Sequence, residues 1–156
     1  MKENIRYILG DVKLLDDIKE LWEALNEHHK EKSLHFKEFY NMFSFDTRKA
    51  DLIKQAQNKH MQVVIALDDE VQIRVGHCIS SVDKDNTGEI DSIFVLQGYR
   101  GFGIGEQLMQ KGLQWMDEMG AEKIVVNVAA GNEQAFGFYE KHGFYPRRTM
   151  LEQIKE

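Results

Sequence analysis

One cysteine and one proline occur in 156 residues, and no apolar run approaches the length of a bilayer span. A lone Cys78 excludes an intrachain disulfide and a cysteine-based zinc site. Sitting in a β-branched stretch, it reads as a core residue rather than as the acyl-carrying nucleophile of a covalent mechanism. Excess positive charge is also missing. The net charge is −6 and the pI about 5.5, so nonspecific nucleic-acid binding has no electrostatic support. Met1 to Arg6 carries charges where a secretory signal needs apolar residues. His28, His29, His35, His60, His77 and His142 show no spacing that demands a metal, and none is expected. Repeats, linkers and low-complexity segments are absent as well. These absences leave a soluble, cytoplasmic protein of one domain, residues 1–156, bound neither to membrane nor to nucleic acid.

What is present is an alternation of strand-like and helix-like segments. Ile5 to Val12 reads as a strand. Leu14/Leu15, Ile18, Leu21/Trp22 and Leu25 form one helical stripe ending near Lys30. Ser33 to about Asn58 is helical but interrupted, with a break and a new cap at Phe45-Asp46-Thr47. Met61 to Leu67 and Val71 to Ser81 read as a hairpin, and Asp83 to Gly88 turns into a third strand from Glu89 to Val95. Glu106 to Met119 is helical, Lys123 to Ala129 a strand, and Asn132 caps a short helix that Gly143 ends. Phe144 to Ile154 is expected to be a final strand, with Pro146 near its start.

Between the Glu89 strand and the Glu106 helix lies Arg100-Gly101-Phe102-Gly103-Ile104-Gly105. Strand, glycine-rich turn and helix in that order aim free N–H groups and a positive dipole end at a ligand, and phosphate is the natural occupant. The dinucleotide spelling G-x-G-x-x-G fails, because the sixth position is Glu106 or Leu108, and no Gly-Lys-Ser or Gly-Lys-Thr exists. What remains is Arg/Gln-x-x-Gly-x-Gly/Ala, met by Arg100, Gly103 and Gly105.

Val95 to Leu108 (VLQGYRGFGIGEQL) resembles the acetyl-CoA loop of the GCN5-related N-acetyltransferases (GNAT). Asn132 to Phe144 resembles that family's second block, N-x-x-A-x-x-F-Y-x-x-x-G-F, in the right order and at the right separation. The resemblance implies an α/β (α+β) acyl-CoA N-acyltransferase fold, a mixed twisted sheet of about six to seven strands flanked by about four helices. It implies acetyl-CoA as co-substrate and a small-molecule or peptide amine as acceptor. It leaves open a non-catalytic acyl-CoA-binding or sensing domain of the same fold, and a homodimer, since members commonly pair. Amides of Gly101, Phe102, Gly103, Ile104, Gly105 and Glu106 would hold the pyrophosphate, with Arg100 fixing the turn or pairing a phosphate. Phe94 and Val95 would line the pantetheine arm, to which Asn132 would hydrogen-bond. Gln97 departs from the proline that many members carry, which affects turn rigidity more than chemistry. Strand alternation places Glu89 and Asp91 on one face, with Ile93 and Val95 further along it. Either carboxylate could deprotonate the acceptor ammonium, or only bind a cationic acceptor or sit in solvent; Asp91 matches the family's more common position. Tyr139 is the expected acid for the departing thiolate. Helices one and two would wall the acceptor pocket, which points to the stretch between Glu27 and Phe45.

Overall fold

The computed structural model describes residues 4–155. The opening residues 1–3, on which the absence of a signal segment partly rests, lie outside it. Five strands form one sheet in the order β1-β2-β3-β4-β5: β1 Ile5–Gly10, β2 His60–Asp68, β3 Ile73–Val82, β4 Thr87–Val95 and β5 Lys123–Val126. The first four are antiparallel neighbours, and β5 joins β4 in parallel after a helical crossover. The helices are α1 Lys19–Lys32, α2 Lys37–Asn41, α3 Phe45–Gln55, α4 Ile104–Glu118 and α5 Phe136–Glu140.

Both faces of the sheet are covered, which is why β2 and β3 are buried along nearly their whole length, the polar His77, Ser80 and Ser81 included. Against one face α4 packs Leu108, Met109 and Met116 onto Val64, Cys78 and Ile90. Gly112 lies at the tightest point of that contact; a Cβ there would stand 2.7 Å from Ser80 Oγ. Against the other face Leu15, Ile18, Trp22, Phe45 and Leu52 close on Val63, Ile65 and Ile79. The helical stripe expected from Leu14 begins as a 3-10 helix, Val12–Ile18, and only then becomes α1. Its acidic pair serves tertiary contacts, Asp16 to Lys49 at 2.6 Å and Asp17 to Arg74 at 3.0 Å. The interrupted helical region divides into α2 and α3. Ser44, rather than the Asp46-Thr47 pair, caps α3 by accepting from the Thr47 N–H at 3.1 Å.

Two expectations are corrected. The parallel ladder runs only from Thr87↔Lys123 to Ile90↔Val126, so β5 stops short of Ala129. The reason lies in β4. Opposite β3 the register shifts between Ile79 and Ser80, Ile79 facing Ser92 and Ser80 facing Ile90, which leaves Asp91 as the extra residue of a bulge. Beyond it the pairing with β5 does not continue, and Asp91–Ile93 and the segment 127–129 line a cleft. The bulge also breaks the expected alternation: Glu89 stands opposite Ser81, whereas Ile93 and Val95 pack with the α4 core.

The second correction is that residues 144–154 form no strand, so the sheet has five strands rather than six to seven. Alternation supplies a strand with faces but not with a partner. Among the described residues the sheet ends at β5, which is four residues long and gains no further partner. Tyr145, Met150, Leu151 and Ile154 are exposed in consequence.

Candidate active site

The glycine turn is held from both sides. The Tyr99 hydroxyl donates to Asp68 Oδ2 at 2.7 Å, and the Leu96 N–H donates to the Val75 carbonyl at 2.9 Å, tying the turn to the sheet. Arg100 Nε donates to the Val95 carbonyl at 3.0 Å, and the guanidinium lies over the Phe94 ring. Arg100 thus braces the turn through Nε while also lining the groove beside it. Gly101 and Gly103 have φ of +84° and +82°, a region costly for side-chain-bearing residues. An added Cβ at either would meet no atom within 4 Å, so the backbone there is bare. Gly103 is the N-cap of α4, and the helical ladder begins with the Gln107 N–H donating to the Gly103 carbonyl at 3.1 Å. The amides of Ile104, Gly105 and Glu106 are therefore the unused donors of the helix start.

These amides open onto a groove of about 500 Å³. Of the residues singled out in the sequence, Phe94, Val95, Arg100, Gly101, Gly103, Ile104, Gly105, Glu106, Asn132 and Tyr139 line it, and Phe102 does not. His28, Gln134 and Lys141 line it without having been singled out. Glu106 Oε2 lies 2.8 Å from His142 Nε2, without hydrogen-bond alignment. Asn132 occupies the N-cap of the turn before α5 but makes no capping hydrogen bond; its Oδ1 sits 3.4 Å from His28 Nε2. Its amide faces the groove instead. An open, bare-backboned groove with helix-start donors fits a long phosphate-bearing coenzyme.

A second cavity, of about 240 Å³, lies on the other side of the β4–β5 cleft. Trp22, Asn26 and His29 of α1, Tyr40 of α2, Phe43, Arg48 of α3, and Asp91 line it, with residues 126–129 opposite. Leu25, Ile93, Asn132 and Tyr139 line both spaces, so the two meet at the tyrosine. Asp91 reaches the cavity and Glu89 does not. The bulge explains the difference, because it turns Asp91 out of the ladder into the cleft. Burial pushes the Asp91 carboxyl up to about 6; the Ser81 hydroxyl opposes the shift, Glu89 adds to it, and Lys59 and Arg48 oppose it. Burial pushes the Tyr139 phenol up to about 12, so it is protonated at neutral pH. Cys78 lines neither space, faces α4, and is pushed by burial up to about 12.

The comparisons agree with this geometry. The Acetyltransferase (GNAT) family matches residues 18–144, most of the chain. The chain belongs to that family. N-alpha-acetyltransferase 30 of Schizosaccharomyces pombe is 37% identical over 82 residues, 51% of this chain and 55% of the relative. A mycothiol acetyltransferase of Corynebacterium glutamicum is 41% identical over 64 residues, 39% of this chain and 22% of the relative. The chain thus spans about half the length of the first curated relative and about a fifth of the second. Among solved structures, a Pyrococcus furiosus protein assigned as an acetyl transferase superposes with TM-score 0.70 at 25% identity, over 96% of this chain and 100% of that one. The aminoglycoside N-acetyltransferase AAC(6')-Iy, solved with CoA, superposes with TM-score 0.66 at 19% identity, over 97% and 94%. The GNAT fold expected from the two sequence blocks is therefore shown.

Of the residues lining the smaller cavity, Trp22 belongs to the apolar stripe of the sequence and His29 to the stretch between Glu27 and Phe45; Asn26 has only its helical spacing from them on one face of α1 as a signal. Arg48 had none, since it reaches the cavity only through the packing of α3 against the sheet.

Proposed function

We propose that this GNAT protein transfers the acetyl group of acetyl-CoA to a primary amine by direct attack in a ternary complex. The observation that carries the reading is the meeting of the coenzyme groove and the smaller cavity at Tyr139, beside Asp91. An ammonium must lose a proton before it can attack a thioester, and Asp91, ionised above about pH 6, is the base placed to take it. The leaving thiolate needs a proton or a hydrogen bond, and Tyr139, a protonated phenol lining both spaces, supplies it. Glu89 lies outside the cavity and acts only through its charge on Asp91. A double-displacement route needs a nucleophile at the junction. Cys78 is fully buried, lines neither space and has its thiol held protonated, which supports direct transfer.

Gly101, Gly103 and the first turn of α4 would hold the pyrophosphate, and Phe94, Val95 and Asn132 the pantetheine arm. The acceptor cavity, about 240 Å³, is smaller than the roughly 300–1,000 Å³ usual for drug-sized ligands. It suits a small amine or the amino end of a larger one. A mycothiol acetyltransferase among the relatives supports a small-molecule acceptor. Differential scanning fluorimetry tests the coenzyme half of the reading. Acetyl-CoA at 100 times its Kd should stabilise the fold by about 2.7 kcal/mol, and NAD or ATP should not. Equal shifts from all three would refute it. Thiol release over an amine panel tests the transfer half.

A further inference from the structure

Among the described residues, five buried side-chain polar atoms lack a hydrogen-bond partner. Two of them, Asp91 Oδ2 and His29 Nδ1, belong to residues lining the acceptor cavity, while Gln62, His77 and His142 line neither space. Buried polar atoms are nearly always satisfied, so two orphans on one cavity describe the polar groups its occupant brings. The Asp91 orphan is accounted for by the acceptor ammonium of the proposed transfer. The His29 orphan is not. We infer that His29 is a specificity-determining residue that reads a second hydrogen-bonding group, borne by the same acceptor on a short apolar stem. This rests on the acetyl-transfer reading and names its substrate class.

The surroundings fit such a molecule. His29 is held by α1, and its ring lies 5.8 Å from that of Tyr40. Asn26 Nδ2 donates to the Tyr40 carbonyl at 2.9 Å and fixes α2 against α1, so the imidazole is set in a tied wall. Trp22, Tyr40 and Phe43 supply apolar surface for the stem. Burial, helped by His28, holds the imidazole below its ordinary value, so at neutral pH it is an uncharged hydrogen-bonding group. Nδ1 donates or accepts according to tautomer, and a hydroxyl or a carboxamide satisfies either.

The test compares straight-chain amines of three to six carbons with their ω-hydroxy and ω-carboxamide counterparts. A site with a buried polar atom to satisfy should prefer one polar spacing over the parent amine by about fivefold or more. The preference is read as kcat/KM by thiol release and as Kd by calorimetry with CoA bound. His29→Phe keeps the ring and removes the nitrogens, and should bring the ratio to about one. His29→Asn keeps a polar atom near the Nδ1 position and should retain part of the preference. Stabilisation by acetyl-CoA checks that each variant is folded. A wild type that treats each pair alike in both readouts, or a His29→Phe variant that keeps the preference, overturns the assignment. A Kd preference lost in His29→Phe, without turnover of any amine, upholds the assignment and refutes the transfer reading instead.

Discussion

Replacing Asp91 by asparagine should stabilise the protein at neutral pH while disabling it. Burial carries the carboxyl from an ordinary 3.8 to about 6. That difference of about two pH units, at about 1.36 kcal/mol each, is about 3 kcal/mol. The folded state holds the proton more tightly than the unfolded chain. Below about pH 4 both states are protonated and Asp91 is neutral to stability. Between about pH 4 and pH 6 the unfolded chain ionises first, so stability falls as pH rises, and above about pH 6 the full cost remains. Asparagine cannot ionise and escapes that loss. In urea titrations, Asp91→Asn minus wild type should be near zero at pH 4 and grow to between about 1 and 3 kcal/mol by pH 7.5. At about 2–4 °C per kcal/mol, the melting temperature should rise by several degrees. Carboxylates other than Glu89, whose charge acts on Asp91, cancel in the difference. The same variant should lose about 100-fold or more in kcat/KM, the usual contribution of a general base. A stability difference flat across pH, or a less stable variant at pH 7.5, would refute the claim that this carboxylate is held ionised against its surroundings.

Two further outcomes test the rest of the site. Tyr139→Phe removes the phenolic proton but keeps the ring between Phe138 and Phe144, so kcat should fall about 100-fold while the acetyl-CoA Kd changes less than about threefold. Unchanged turnover would exclude the tyrosine as acid. Gly103→Val forces a β-branched residue to φ of +82°, costing about 1–3 kcal/mol of stability, and projects methyl groups into the space before the helix-start amides. Calorimetry should show acetyl-CoA binding lost in a protein that still unfolds cooperatively; unchanged affinity would place the pyrophosphate elsewhere.

Much of this molecule is local and therefore legible. The glycines at 101 and 103 declare a backbone that side chains avoid, and the apolar spacing from Leu108 to Met116 declares a helix packed on one face. Asn132 reads in the sequence as a helix cap, a ligand contact or both, and its missing cap bond removes only the capping role. Alternation put Glu89 and Asp91 on one face, because alternation is a property of an unbroken ladder, and only the resemblance favoured Asp91. The 144–154 segment looked like a strand because its pattern says nothing about an available edge.

The sequence by itself determined the coenzyme side, because a phosphate-binding turn is built from consecutive residues whose backbone conformations are set by their own side chains, or the lack of them. Sequence pointed to the stretch between Glu27 and Phe45, but only the tertiary structure assembled the smaller cavity. One bulge turns Asp91 into the cleft and leaves Glu89 out of it, and α1, α2 and α3 bring His29, Tyr40 and Arg48 to the same cavity from positions far apart in the chain. No local rule connects such residues. Packing does, by burying apolar faces of α1 and α3 on the sheet and holding α2 against α1 through Asn26, so that residues of all three line one space.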